Sequence, residues 1–413
     1  MFLRGVWRPA YFGTPGAAGD KDFRKDFEPI MPSRPTRILT THVGSLPRPA
    51  DLVELIVAQD RGAAFDAAKL ARRVRRAVRE AVTRQREAGI DVVGDGEMGK
   101  ISYVNYLKHR LSGFGAPAPL NWRVADLADH PESSANRKNP KPKRIDPPAC
   151  RAPIAVKDAA PLERDLKNLG DALRGTDAPG AFMSAASPGV VAIFMPNRFY
   201  KTEDAYVAAL ADALRDEYER IHRAGFTVQI DCPDLAMSRH MAYADLSLKQ
   251  FRRIAARNVE ALNHATRNIP REKMRMHVCW GNYPGPHTHD VPIRDIADIV
   301  FKARPQAVLF EAANPRHAHE WEDLAALKIP DDSILVPGVI DTNTNTVEHP
   351  HLVAQRIETY ARIVGRERVM AATDCGFATL ASLPRVWPSV AWEKLRALAD
   401  GAKLASKRLW KKK

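Results

Sequence analysis

The chain has 413 residues, 45% of them hydrophobic, enough apolar material for one large barrel or two ordinary domains. No apolar run approaches the roughly 18–20 residues that a membrane-crossing helix needs, so no membrane partner is expected. The formal net charge is +14, but aromatic residues are only 7% and do not interleave with the basic ones, so the expectation is a solvated basic surface and no nucleic-acid partner.

Residues 1–35 are rich in Gly, Pro and charge, lack the apolar stretch of a secretory signal and show no periodicity, so they read as an irregular extension. Met31 directly precedes the first motif-bearing segment and is an alternative start; native protein whose sequence begins at Met1 would rule that out. Strand-like runs then alternate with helical ones. The candidate strands are 38–43, 91–94, 154–156, 181–186, 227–230, 274–279, 307–311, 334–340 and 369–373. Stretches with apolar residues at helical spacing lie between them, over 64–88, 203–224, 248–268 and 350–364. Strands separated by helices argue for a parallel sheet, and about eight units argue for an α/β fold of the (β/α)8 TIM-barrel type over 36–405. One strand is surplus, either the first or the short one at 154–156. The proline-rich segment 113–153 breaks the rhythm and reads as a loop excursion. Residues 406–413 read as a frayed basic tail.

Three candidate strands end in metal-ligand residue types followed by turn residues. Met-His-Val-Cys-Trp holds His277 and Cys279, Leu-Phe-Glu holds Glu311, and Thr-Asp-Cys-Gly holds Cys375. Residues two apart on a strand point the same way, so His277 and Cys279 face one direction together. Barrel enzymes draw catalytic groups from the C-terminal ends of different strands. Two sulfurs, an imidazole and a carboxylate suit tetrahedral Zn2+, although buried cysteines are also ordinary small hydrophobes. The pairs His287/His289, His317/His319 and His349/His351 compete as ligands or substrate-orienting groups, and His289, beside Asp290, is the best placed. The four cysteines, Cys150, Cys232, Cys279 and Cys375, are widely spaced, which favours reduced thiols in the cytoplasm over a disulfide framework.

Other polar groups also sit at strand ends. Thr-Thr-His-Val-Gly-Ser brings Ser45, with Arg48 close behind, to a turn that suits a carboxylate. Asp95, Glu97, Asp231 and Asp341 end further strands, where carboxylates serve an ammonium group or proton transfer, or cap a helix.

Taken together, Thr41-His-Val-Gly-Ser-Leu-Pro, Gly94-Asp-Gly-Glu, Gln229-Ile-Asp, His277-Val-Cys, Glu311, Pro337-Gly-Val-Ile-Asp and Asp374-Cys-Gly resemble the catalytic barrel of the cobalamin-independent methionine synthase family. The resemblance runs from about Ile38 to Leu380. It implies zinc held by His277, Cys279, Glu311 and Cys375, and a homocysteine-like small-molecule thiol whose amino-acid end meets Ser45, Glu97 and Asp231. It also implies a methyl or alkyl donor, with Glu311, Asp341 and His289 as candidate catalytic groups. Three departures bear on the donor. There is no counterpart of the family's second, N-terminal barrel. Cys232 stands where the family often has a carboxylate. Asn343 stands where the family has a histidine, and an amide cannot serve as a general acid near neutral pH. The leading reaction is therefore methyl transfer from a methyl-tetrahydrofolate-type donor to homocysteine. The alternatives are thiol alkylation of the epoxide and coenzyme M type, and a non-enzymatic barrel with structural zinc. Oligomeric state is left open, a homo-oligomer included.

Overall fold

The computed structural model describes residues 35–120, 122–132, 147–383 and 385–411, so nearly all of the expected extension 1–35 lies outside the described residues. Eight parallel strands form the centre: β1 Leu39–Thr40, β2 Val92–Gly94, β3 Gly180–Ala186, β4 Thr227–Asp231, β5 Met274–His277, β6 Ala307–Phe310, β7 Ile334–Ile340 and β8 Met370–Thr373. They are bonded in the order β2, β3, β4, β5, β6, β7, β8, β1. The β1–β2 seam closes mainly through side chains. Asp91 N–H donates to Thr40 O at 3.1 Å and Thr41 Oγ1 to Val92 O at 2.9 Å. Gln85, from the preceding helix, acts as a strand would: its Nε2 donates to Gly94 O at 2.8 Å and its Oε1 accepts from Gly94 N–H at 2.9 Å. The fold is a (β/α)8 barrel, as the strand–helix alternation predicts.

Two cores result, because barrel strands are buried on both faces. Inside the ring, Leu39, Val43, Phe182, Leu309, Val336 and Met370 pack on one another. Between strands and helices lies the larger shell. The helix Ala67–Glu87 shows how it is filled. Asp66 caps it by accepting from Lys69 N–H at 2.8 Å, and Leu70, Val74, Val78 and Val82 recur at helical spacing on its buried side. Each such side chain contributes roughly 1.5–3 kcal/mol on burial.

The surplus strand is the one at 154–156. It makes only an isolated bridge, Leu111 with Val156; Ile154 packs against the core but Val156 is exposed, so the trio has no ladder to join. The proline-rich excursion is more ordered than a loop. Phe114–Pro117 and Pro148–Cys150 pair antiparallel, with prolines at strand ends where a missing N–H is tolerated, and Ala125–Asp129 is helical. Residues 133–146 lie outside the described set. At the C-terminus the helix Pro388–Leu409 carries Lys407 and Arg408, expected in a frayed tail. Its face of Leu395, Leu398, Ala402 and Ala405 is buried, which holds the helix in register that far. Among the described residues no helix is long and apolar enough to cross a membrane.

Candidate functional site

The strand-end residues converge at the C-terminal mouth of the barrel. Past the end of β5 the chain stays extended, with Val278 N–H donating to Leu309 O at 2.9 Å, so His277 and Cys279 keep facing the same way. Cys375 follows β8, and Thr373 Oγ1 donates to its carbonyl at 2.8 Å. His277, Cys279 and Cys375 are buried, with one ligand atom of each lying within 4.8 Å of the others. The two sulfurs are 3.8 Å apart. That is too far for a disulfide, and it matches the ~3.8 Å that two thiolates at ~2.3 Å from a tetrahedral zinc must keep. All four cysteines are free.

Glu311 stands just outside this group of three. Its Oε1 accepts from Trp280 N–H at 2.8 Å and its Oε2 from Asn314 Nδ2 at 2.8 Å. The hydrogen bond with Cys375, together with burial, pushes the Cys279 thiol far up. Burial and the neighbouring Cys279 raise Glu311 well above the carboxylate range. Two thiols and an imidazole within 4.8 Å of one another, with a carboxylate beside them, fit zinc in chemistry and spacing.

Asp374 ties the two ligand-bearing loops together. Its Oδ1 accepts from Ala312 and Ala313 N–H, each at 2.9 Å, and its Oδ2 from Asn314 N–H at 2.9 Å. Burial raises its carboxyl to about 6 against those bonds. Only glycine fits at 338, where a Cβ would sit 2.3 Å from Asp374 Oδ1.

A cavity of about 570 Å³ opens over His277, Cys279 and Cys375, and Ser45, Glu97 and Asp231 line it with them. Cys375 and Ser45 meet through Gly376, where a Cβ would lie 2.0 Å from Ser45 Oγ. Glu97 has φ 55°, a left-handed turn secured by Asp95 Oδ1, which accepts Glu97 N–H at 2.9 Å. Its Oε1 accepts from Ser184 Oγ at 2.8 Å, while its buried Oε2 has no hydrogen-bond partner among the described residues. Burial raises the Glu97 carboxyl, Asp231 adds to that, and Lys100 and Arg48 oppose it. Asp231 Oδ1 accepts from Gln229 Nε2 at 2.9 Å and lies 3.5 Å from His277 Nδ1. Beneath them Arg275 is fully buried, bonded to Gln229 Oε1 at 2.9 Å, Thr41 Oγ1 at 2.8 Å and His42 O at 2.9 Å.

Other sequence candidates fall elsewhere. Arg48 does not face the cavity; its guanidinium clamps the carbonyls of Glu97 and Ala378. Asp341 shapes its own turn, accepting from Asn343 N–H at 2.9 Å and Thr344 Oγ1 at 2.6 Å. Asn343 shares that turn and does not line the cavity. Cys232 is buried in the helix–strand shell. His289 is exposed and pairs with Asp129 at 2.5 Å, away from the ligands. His349 caps the helix Pro350–Val364.

The partners of two of the pairs do something else. His317 is buried, stacks on Trp280 with ring centroids 4.4 Å apart, and bonds Asp290 at 2.9 Å and Glu320 at 3.0 Å. His287 bonds the same Asp290 oxygen at 2.8 Å. This network braces Trp280, whose N–H holds Glu311. Sequence reasoning missed it, along with Asp374, Asn314 and the cavity-lining Tyr103. The spacing of Asn314 three residues after Glu311, and of Asp374 beside Cys375, was the available signal.

A family model described as "Cobalamin-independent synthase, Catalytic domain" matches residues 38–126 and 183–400. A methionine synthase of Thermococcus kodakarensis is 25% identical over 386 residues, covering 92% of this chain and 95% of that one. One from Saccharolobus solfataricus is 25% identical over 379 residues, covering 90% and 96%. The solved structure of a B12-independent methionine synthase from a Shewanella species, in complex with selenomethionine, has a TM-score of 0.69 at 20% identity, covering 90% of this chain and 99% of that one.

Proposed function

The chain belongs to the cobalamin-independent synthase catalytic-domain family, and from that premise we propose that it methylates the thiol of homocysteine to give methionine, with a methyl-tetrahydrofolate-type donor and Zn2+ as cofactor. One observation carries the reading. A buried imidazole and two thiols within 4.8 Å of one another share a single cavity with Ser45, Glu97 and Asp231. His277, Cys279 and Cys375 are assigned as ligands, with Glu311 as the fourth. Zinc, when bound there, supplies the charge that lets an incoming thiol shed its proton near neutral pH.

The rest of the work falls to the chain. Glu97 Oε2, which has no hydrogen bond among the described residues and lies 3.8 Å from Arg48 Nη2, and the Asp231 carboxylate take the substrate ammonium, since two carboxylates facing a cation pair with it in a water-poor cavity. Ser45 and the backbone of the Gly376 turn take its carboxylate. Binding the amino-acid end fixes the sulfur beside the ligand set, so the methyl carbon is met in line rather than by diffusion. Glu311 rests beside the three donors on Trp280 N–H and Asn314, from where it would complete the donor set of a bound zinc. Four free thiols suit a reducing compartment, and we place the enzyme in the cytoplasm.

The test is zinc-loaded protein given homocysteine with methyl-folates of varying glutamate length, then coenzyme M with epoxides. Methionine formation in the first set is expected. A thioether formed only in the second would replace this reading with the epoxide-opening one.

A further inference from the structure

In any methyl transfer to sulfur, the S–C bond forms as the bond from carbon to the leaving atom breaks, and the electron pair of that bond stays on the leaving atom. A hydrogen-bond donor aimed at that atom lowers the barrier. Few groups lining the cavity are free to supply one. Ser45, Glu97 and Asp231 are assigned to the acceptor above. The Tyr283 hydroxyl is given to Asp126, and Thr379, whose Oγ1 accepts from Asn282 Nδ2 at 2.7 Å, keeps its O–H on a short side chain tied down by that bond. Tyr103 is different. It lines the cavity with Cys279 and Cys375, and its hydroxyl has no hydrogen-bond partner among the described residues.

The placement of Tyr103 is built. It follows Glu97 in the loop after β2. Ser102 Oγ accepts from Asn105 N–H at 2.9 Å and fixes the turn. Ala381 N–H donates to Ile101 O at 3.0 Å, which stitches this loop to the one carrying Cys375. The Tyr103 ring meets Phe194 edge-on, with centroids 5.9 Å apart. A phenol keeps its hydrogen up to about pH 10, so the hydroxyl remains a donor across the working range. Phe194, Met237 and Leu380 continue the wall beside it with apolar surface suited to the body of a donor molecule.

We propose that Tyr103 is a catalytic residue whose hydroxyl donates a hydrogen bond to the leaving atom of the methyl donor. The inference rests on the methyl-transfer reading above. The leaving atom takes its final proton from water, and Tyr103 ends the cycle unchanged.

Tyr103→Phe tests it with two donors and homocysteine as acceptor. Methyl-tetrahydrofolate has a poor, basic leaving nitrogen; methyl iodide releases iodide, which needs no hydrogen bond. The single-turnover rate with methyl-tetrahydrofolate is expected to fall about 100-fold, the effect of removing one such donor. The rate with methyl iodide, the zinc content and the homocysteine affinity by calorimetry are expected to stay within about 2-fold, which also shows that the variant is folded. Equal losses with both donors, or no loss with methyl-tetrahydrofolate, would overturn the proposal. Wild-type protein that transfers methyl from neither donor would overturn the methyl-transfer reading itself, and this inference with it.

Discussion

The floor and the wall of the cavity are made differently. The floor, with His277, Cys279, Cys375, Ser45, Glu97 and Asp231, comes from strand ends and the residues just past them, all buried and cross-braced. The wall, with Tyr103, Phe194, Met237, Leu380 and Leu383, comes from the connections that follow the strands, including the end of the helix Pro188–Phe194, and Leu380 and Leu383 are exposed. A rigid sheet fixes chemistry that must not vary, while loops carry what selects the second substrate. Floor substitutions are therefore expected to remove the metal or weaken the acceptor, and wall substitutions to act through the donor.

The sharpest break in that contrast would be a floor substitution without effect. Cys375→Ala removes one of two sulfurs 3.8 Å apart. Bound zinc is expected to fall below a tenth of wild type and methyl transfer more than about 1,000-fold, read by metal analysis and product formation. Glu97→Gln keeps shape and removes charge. The KM for homocysteine is expected to rise roughly 10- to 100-fold, with zinc content unchanged.

A smaller effect sharpens the role of the bracing behind the floor. Burial opposes a charge on His317, but hydrogen bonds to Asp290 and Glu320 outweigh it and raise its pKa from 6.5 to about 10. A raised folded-state pKa means that the stabilisation is complete below about 6.5 and is lost as pH climbs through about 10. Unfolding by urea across that window is expected to show wild type losing on the order of a few kcal/mol relative to His317→Gln. Parallel curves for the two proteins would show that the network is not charged. The smallest effect belongs to the wall: Leu383→Ala is expected to raise the donor KM a few-fold and leave the homocysteine KM unchanged.

The sequence showed the floor and hid the wall for physical reasons. A two-residue period and strand-ending glycines put His277, Cys279 and Cys375 at strand ends, and the family resemblance joined them into one set. Tyr103 and Phe194 meet only because loops after β2 and β3 fold over the mouth, a non-local fact with no period. The reading of 154–156 as a strand failed because an apolar trio says nothing about whether a neighbouring strand is there to pair with it. His289 looked better than His317 because it stands beside an aspartate in sequence. In space that aspartate, Asp290, bonds His317 and His287 instead. Asp374 went unassigned because its work is to accept backbone N–H groups from a loop 60 residues away.

The central claim is that the buried His/Cys/Cys group holds a metal that meets the substrate thiol. Protein loaded with cobalt in place of zinc tests it optically, since ligand exchange alters the visible absorption of cobalt. Added homocysteine is expected to change that spectrum in wild type, and only at higher concentration in Glu97→Gln. A spectrum that stays the same with homocysteine and every other thiol offered would contradict the account and leave the metal a structural one.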